Sequence, residues 1–443
     1  MNNKNMFYAV LAIALMPSFA LAEQQTTLDS KDSALKIGGE VESVYGVINQ
    51  GEDFAKKLGA QEKYNKSSLA TGASVKFNYD KRSDAGLEYG AFVKLNANTS
   101  KAISGSTNIA SEVKAYLQGG FGKFEIGATS PVGIAMEVNS YSLARATGGL
   151  DGYWLFWLKN GGVILEDRFS ANGAFLIAPQ LPIAFDESTK SVKVNYFTPK
   201  INGFTFGISY TPDSRAKGTV NQTAEVIDSS GGGYKNIWQP AVRYETSFDN
   251  GIDFATALIG EFGQAKKVLY VDSSAVANPN GATSSLMDRN RLSAWQLRAS
   301  VGYNGFSVAG AYGDIGKSGT MKNRVAGVKN DGQYWSLGSG YSTDKYGISI
   351  NYMQGKRAGN LVELKDADGK ELNVGNDEVK VLFSDTEYNK FEAVSIGADY
   401  QVMPGFMPYV EVARFKFKEN NNFGANAKFN KGNVFLAGTK IKF

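Results

Sequence analysis

The strongest constraint on this chain is a period of two. From Leu35 to Tyr45 every second residue, Leu35, Ile37, Gly39, Val41, Ser43 and Tyr45, is apolar or small, while Lys36, Gly38, Glu40 and Glu42 fall between them. Neighbouring side chains of a β-strand point to opposite faces, so this run predicts a strand with one apolar and one polar face. Trp295, Leu297, Ala299, Val301 and Tyr303 repeat the pattern against Gln296, Arg298, Ser300 and Gly302, as do Tyr346, Ile348, Ile350 and Tyr352 against Gly347, Ser349 and Asn351. Sixteen such segments run along the chain, at about 35–47, 69–79, 87–98, 111–119, 121–129, 190–198, 203–212, 237–247, 252–263, 293–303, 306–314, 333–342, 346–354, 390–400, 407–417 and 433–443. Two of them, 111–119 and 407–417, admit either phase.

The connections alternate too. Short ones, Asp80 to Gly86, Gly119-Gly120, Pro199 to Asn202, Phe248 to Gly251, Asn304-Gly305, Thr343 to Lys345 and Gln401 to Phe406, are separated by much longer ones. Asn304-Gly305 is a two-residue hairpin signal, because both residues tolerate positive φ. An even number of strands with tight turns at one end and long loops at the other predicts an all-β fold, a transmembrane antiparallel barrel of sixteen strands. Mean hydropathy is −0.25, which does not oppose a membrane location, since barrel strands hide apolar residues in alternation. Past the first residues no run of about 20 apolar residues suits a spanning helix.

The first residues have another purpose. Lys4, the apolar stretch Met6 to Met16 interrupted only by the hydroxyl of Tyr8, and Ala20-Leu21-Ala22 before Glu23 read as an export signal over 1–22. The barrel domain is then expected over 23–443.

The chain has no His and no Cys. That removes Ser-His nucleophilic triads, thiolate chemistry and the commonest metal ligands. The expectation is a protein that is not an enzyme and holds no cofactor or metal. A formal charge of +4 over 443 residues makes no case for nucleic acid.

The aromatic residues test the barrel. Tyr79, Tyr196, Tyr244, Tyr303, Tyr341 and Tyr400 each sit just before a short turn, in the parity of the apolar face. Trp238, Trp295 and Trp335 open strands at the other end, where Tyr45, Tyr210, Tyr312 and Tyr352 close their neighbours. Tyr and Trp carry an apolar body and a polar tip, so two such girdles mark the two headgroup levels of a bilayer. The last segment puts Phe435, Ala437, Thr439, Ile441 and Phe443 on one face. A closing strand that ends on Phe443 resembles the assembly signal of outer-membrane proteins. The expected location is the outer membrane of a Gram-negative bacterium.

Two stretches carry a more specific likeness. Ala115-Tyr116-Leu117-Gln118-Gly119-Gly120-Phe121-Gly122-Lys123-Phe124-Glu125-Ile126-Gly127 and Ser191-Val192-Lys193-Val194-Asn195-Tyr196-Phe197-Thr198-Pro199-Lys200-Ile201-Asn202-Gly203-Phe204 resemble the strand–turn–strand motifs of the general Gram-negative porins. The hairpin from Ala294 to Gly313 is similar to them as well. The resemblance implies a trimeric diffusion channel whose third loop, here about 131–189, folds into the barrel and sets the pore size. It implies as partners outer-membrane lipid and lipopolysaccharide, the outer-membrane assembly machinery, and ions and small hydrophilic solutes. The family's usual Arg after the fifth strand's last Gly is replaced by Ala128.

The loop carries Glu137, Asp151, Glu166, Asp167, Asp186 and Glu187 beside Arg145, Lys159 and Arg168. Its run Tyr153-Trp154-Leu155-Phe156-Trp157-Leu158 is apolar enough to pack on an inner wall, or to make a strand or an outside contact. The polar parity of the early strands turns Lys76, Lys94 and Lys114 inward. The expected constriction sets Asp151, Glu166 and Asp167 against Lys76, Lys94 and Lys114, giving a transverse field that favours dipolar solutes. The remaining inward charges are mixed, Glu40, Glu42, Glu88, Glu125 and Asp399 against Lys36, Lys193, Arg243, Arg298 and Lys440, and fix no sign of ion selectivity. Small residues on the outer face of the first strands and the last, among them Gly39, Ser43, Thr71, Ala73, Ala91, Ala97, Ala115, Ala437 and Thr439, suit close approach of neighbouring barrels. Other functions call for other features. An outer-membrane lipase or protease calls for a catalytic base, and the lack of His removes the usual one. A sugar channel calls for a file of lumenal aromatics, of which Phe92 is the clearest. A phosphate channel calls for a cationic cluster free of acids. A surface adhesin on a barrel anchor calls only for long loops.

Overall fold

The computed structural model describes residues 26–30, 33–51, 65–97, 110–138, 146–158, 191–214, 233–271, 284–320, 322, 331–358, 388–418 and 429–443. Within these, the wall is built from β1 (Ser33–Gln50), β2 (Ser67–Arg82), β3 (Glu88–Asn96), β4 (Ala110–Gly119), β5 (Gly122–Ala128), β6 (Val192–Phe197), β7 (Phe204–Asp213) and β8 (Tyr234–Ser247). It continues through β9 (Ile252–Ala265), β10 (Leu292–Tyr303), β11 (Phe306–Asp314), β12 (Gly332–Ser342), β13 (Tyr346–Ala358), β14 (Tyr388–Tyr400), β15 (Phe406–Lys418) and β16 (Phe429–Lys442). Each strand pairs antiparallel with the next, and β16 returns to β1 in the register Ile441↔Val41 and Ala437↔Tyr45. The result is a closed sixteen-strand antiparallel barrel. Closure leaves no edge, so the wall's backbone polar groups pair from strand to strand rather than facing lipid. At the seam Gly39 N–H donates to Phe443 O at 2.7 Å and Phe443 N–H to Gly39 O at 3.1 Å.

A short strand, Thr26–Ser30, folds back on the start of β1. A small ribbon of Val268–Val271 and Ser284–Met287 extends the β9–β10 connection. The export signal expected over 1–22 lies outside the described residues.

The period of two sets the two faces. In β10, Leu297 and Val301 are each 46% exposed on the outer face, while Arg298 beside them is 1% exposed on the inner one. In β13, Ile348 and Ile350 face outward, and Ser349 and Asn351 are buried inside. A slip of one residue would turn every charge outward, so this patterning holds the register. The tight turns also follow local chemistry. Asn304 (φ 47°) and Gly305 (φ 82°) are both left-handed, as are Asn202 (φ 49°) and Gly203 (φ 86°). That geometry matches the twist of the flanking strands.

Outward aromatics meet in pairs near both rims. Next to the tight turns, Phe124–Tyr196, Phe204–Tyr244 and Phe306–Tyr341 have ring centroids 4.6, 4.6 and 4.5 Å apart. Tyr79, Tyr303 and Tyr400 are exposed at the same level. At the opposite rim Tyr210–Trp238, Trp295–Tyr312 and Trp335–Tyr352 lie 4.7, 5.6 and 5.1 Å apart.

Candidate functional site

The connection between β5 and β6 starts with one helical turn, Val132–Ala135. A helix start leaves free N–H groups, and here the wall supplies acceptors for two of them. Val132 N–H donates to Ser209 Oγ of β7 at 2.7 Å, and Gly133 N–H to Gln239 Oε1 of β8 at 2.6 Å. Ser209 Oγ in turn donates to Asn195 Oδ1 of β6 at 2.7 Å, and Asn195 Nδ2 donates to Ser130 O at 3.0 Å. Gly133 has no room for a side chain. A Cβ there would stand 2.4 Å from Gln239 Oε1 and 2.6 Å from Ile259 Cγ2 of β9.

Two residues on, Glu137 reaches the wall as an acid. Its carboxylate lies 2.9 Å from Arg298 Nη1 of β10, and its carbonyl accepts from Arg243 Nη1 of β8 at 3.1 Å. Arg298 is held in turn by Gln296 Oε1, which also accepts the Tyr334 hydroxyl at 2.7 Å.

The second described part, residues 146–158, touches a different arc. Ala146 N–H donates to Asp399 Oδ2 of β14 at 3.2 Å, and Ala146 O accepts from Lys440 Nζ of β16 at 3.0 Å. Lys440 also pairs with Glu42 of β1 at 3.4 Å. Glu42 receives the Tyr409 hydroxyl at 2.6 Å, and Tyr153 joins it by a further hydrogen bond. Burial, then the neighbouring Glu42 carboxylate, raises the Tyr153 phenol above its ordinary pKa, so it stays a donor.

The apolar run forms the 3-10 turn Tyr153–Trp157. Trp154 is fully buried and stacks on Phe415 of β15 at 6.0 Å between centroids, and its indole N–H donates to Gly149 O at 2.8 Å. Trp157 lies directly over Gly46 of β1, where a Cβ would come within 2.3 Å of the indole. Of the alternatives open to this run, packing on the inner wall is the one realised by its described residues.

The two groups of contacts fall on β6–β10 and on β14–β1, arcs whose centres lie between seven and eight strands apart in a ring of sixteen. Between them, on one side, stands an arc of lysines interleaved with carboxylates. Lys94 approaches Glu40 at 4.0 Å, Lys114 pairs with Glu112 at 3.5 Å and Glu125 at 3.1 Å, and Lys123 shares Glu125 at 2.8 Å. Lys76 is opposite Lys94 in register. Lys114 also lies 5.6 Å above the Phe92 ring.

The residues expected at the constriction are described only in part. Lys76, Lys94 and Lys114 share this arc. The backbone of Asp151 ends the turn Gly149–Asp151. Glu166 and Asp167 lie outside the described residues. Sequence reasoning missed the Glu137–Arg298 pair, although it counted Glu137 as a loop acid and Arg298 as an inward base. Nothing local in the chain couples the two. Gly46 could have been noticed as a small residue in an inward file otherwise holding Glu42, Val44 and Ile48. Among the described residues no cluster of acidic side chains is arranged to hold a metal ion.

Relatives give the same picture. A family model described as Gram-negative porin matches residues 9–420. An uncharacterized protein of Rickettsia prowazekii is 26% identical over 98% of this chain and 98% of its own length, and one of Rickettsia conorii is 24% identical with the same coverage. Among solved structures, an anion-selective porin from Comamonas acidovorans is 15% identical, covers 93% of this chain and all of its own, and superposes with a TM-score of 0.52. OmpF of Salmonella typhi, solved with daunomycin, is 14% identical, covers 94% of this chain and all of its own, and has a TM-score of 0.51. At such identities the structures speak for the fold alone, while the family match spans nearly the whole sequence. This chain is a member of the Gram-negative porin family, an outer-membrane β-barrel of the channel-forming kind.

Proposed function

We propose that the protein is a passive diffusion channel for ions and small hydrophilic solutes, working as a homotrimer in the outer membrane. The observation that carries this reading is the pair of anchorages of the β5–β6 connection on opposite arcs of the wall. A sixteen-strand barrel is wide enough to leave an aqueous passage, and a segment tied to both sides narrows it without sealing it. The remaining passage runs beside the lysine arc of Lys76, Lys94 and Lys114. Loop carboxylates, with Asp151, Glu166 and Asp167 the chosen candidates, face these ammonium groups and create a transverse field. An apolar solute must displace water held in that field, so polar solutes pass preferentially.

The export signal over 1–22 and the terminal Phe443 belong to the same reading, as the address and the assembly signal read by the outer-membrane machinery. Trimer formation rests on the small outward residues of β1–β4 and β16, where Ser43 Oγ and Thr71 Oγ1 lie 3.1 Å apart. A hydroxyl pair on an otherwise lipid-directed face suits protein contact better than hydrocarbon.

The test is single-channel recording in a planar bilayer with a KCl gradient. The expected record shows conductance steps in threes that scale with salt. Reversing Lys76, Lys94 and Lys114 together to Glu is expected to move the zero-current potential toward cation preference. A sealed bilayer with correctly folded protein would reject a diffusion channel and favour a plugged, substrate-specific or adhesive barrel.

A further inference from the structure

Gly127 of β5 stands in the ladder between two inward lysines, Lys114 of β4 and Lys193 of β6. It has no room for a side chain: a Cβ there would lie 2.2 Å from Val113 O and 2.7 Å from Lys114 Cα. The two lysines have different surroundings. Lys114 lies between carboxylates, Glu125 at 3.1 Å and Glu112 at 3.5 Å, with its side chain 20% exposed. Lys193 is 1% exposed, and its ammonium donates to two backbone carbonyls, Thr129 O and Ser191 O. These belong to the residue after β5 and the residue before β6. One ammonium thus joins the two places where the connection leaves and re-enters the wall.

Thr129 belongs to both surroundings. Its carbonyl is one that Lys193 holds, and its hydroxyl donates to Glu112 Oε1 at 2.6 Å, the same oxygen that lies 3.5 Å from Lys114. Thr129 is 1% exposed, so its hydroxyl needs an acceptor inside the protein. A carboxylate makes that bond stronger than a carbonyl would. Glu112 sits next to a bulge in β4: Lys94 is opposite Glu112, but Leu95 is opposite Ala110, which leaves Ser111 as the extra residue. Bulges re-aim side chains, and Ser111 Oγ closes this one on Asn96 Oδ1 at 3.2 Å. The next residue of the connection is held as well. Ser130 O accepts from Asn195 Nδ2 at 3.0 Å, and that amide also lies 3.3 Å from Glu125 Oε2. Both carboxylates beside Lys114 are thus tied to groups that fix the start of the connection.

We propose that Thr129 is a positioning residue for the charge of the lysine arc. Its hydroxyl keeps Glu112 beside Lys114. Its carbonyl, gripped by Lys193, makes that placement depend on where the connection leaves the wall. A carboxylate stripped of this donor turns to lumenal water, where ions screen it, and Lys114 then presents more of its charge to a passing ion. Thr129 is too buried to touch a solute, so it acts through Glu112. The inference rests on the channel reading above for its effect on permeation, and adds to it a link between the path of the connection and the sign of the wall beside it.

The test uses the full-length protein with Phe92→Cys as its sole cysteine, at the position directly opposite Lys114. The thiol reacts in detergent with an anionic and with a cationic methanethiosulfonate. The ratio of the two rates reads the local potential whether or not the lumen conducts. Adding Glu112→Gln is expected to raise the anionic-to-cationic ratio about fivefold, the effect of one charge acting over roughly 8 Å of water. Thr129→Val, nearly the same shape without the hydroxyl, is expected to raise it about twofold, because the freed carboxylate stays nearby. Thr129→Ser keeps the hydroxyl and should leave the ratio unchanged. Lys193→Met should match Thr129→Val, and the two together should do no more than either. A ratio unmoved by Glu112→Gln, or moved by it but not by Thr129→Val, would overturn the proposal. So would equal shifts from Thr129→Ser and Thr129→Val. In a planar bilayer Thr129→Val is expected to move the zero-current potential toward anion preference. A sealed bilayer with the ratios shifted as expected would reject the diffusion reading and still support the Thr129 link. Conduction with unmoved ratios would do the reverse.

Discussion

The carboxylate of Glu137 and the guanidinium of Arg298 meet at 2.9 Å, with Arg298 only 1% exposed. One residue belongs to the connection after β5 and the other to the inner face of β10. Removing one member of a buried pair strands the other, at a cost of about 3–5 kcal/mol. Glu137→Gln and Arg298→Met are each expected to raise single-channel conductance and its noise. The double variant should be no worse than either single, a non-additivity that a double-mutant cycle on urea unfolding in lipid vesicles would register. Strictly additive losses would show that the pair does not hold the connection to the wall.

The second anchorage can be probed by chemistry, because the chain has no cysteine of its own. Leu150, within the part of the connection that Lys440 holds through Ala146 O, is fully buried. A Leu150→Cys variant should react slowly with a water-soluble maleimide. Adding Lys440→Met is expected to speed the reaction by about tenfold, the signature of local opening made easier by ~1.4 kcal/mol. Unchanged labelling would mean that Trp154 and Trp157 hold this part without Lys440.

The hairpin joining β10 and β11 gives a backbone prediction. Gly305 has φ 82°, and a Cβ there would stand 2.5 Å from Ser342 O. Gly305→Ala is expected to destabilise the barrel by roughly 1–3 kcal/mol, from strain at a left-handed position and the clash together. Asn304→Gly, where the native φ is 47°, should be nearly neutral. The heat-induced gel-mobility shift of the folded barrel would separate the two.

For the proposed trimer, Ala91 and Ala437 lie on the sector of small outward residues. Ala91→Trp with Ala437→Trp is expected to convert trimer to monomer on a non-denaturing gel while each barrel stays folded. The aromatic bulk keeps neighbouring walls from the close approach that small residues permit. Persistence of the trimer would place its interface elsewhere on the barrel.

How much of this could be read along the chain follows from the range of the forces involved. The sixteen strands, their inward and outward faces, the Asn304-Gly305 turn and the outward placement of Tyr79, Trp295 and their counterparts were all legible. Each rests on a residue's relation to neighbours one or two positions away, because strand side chains alternate with a fixed period. The placement of Lys76, Lys94 and Lys114 on one arc followed from the same parity, once neighbouring strands were assumed to pair. The partner of Glu137 was not legible, nor was the position of Trp157 over Gly46. Both join residues far apart in sequence whose meeting depends on barrel closure and on the path of one connection across the wall. Alternation by itself determined that this chain would make a barrel with a polar interior. The tertiary structure decided which inward residues hold the connection after β5, because hydrogen bonds and ion pairs require a proximity that period-two patterning does not encode.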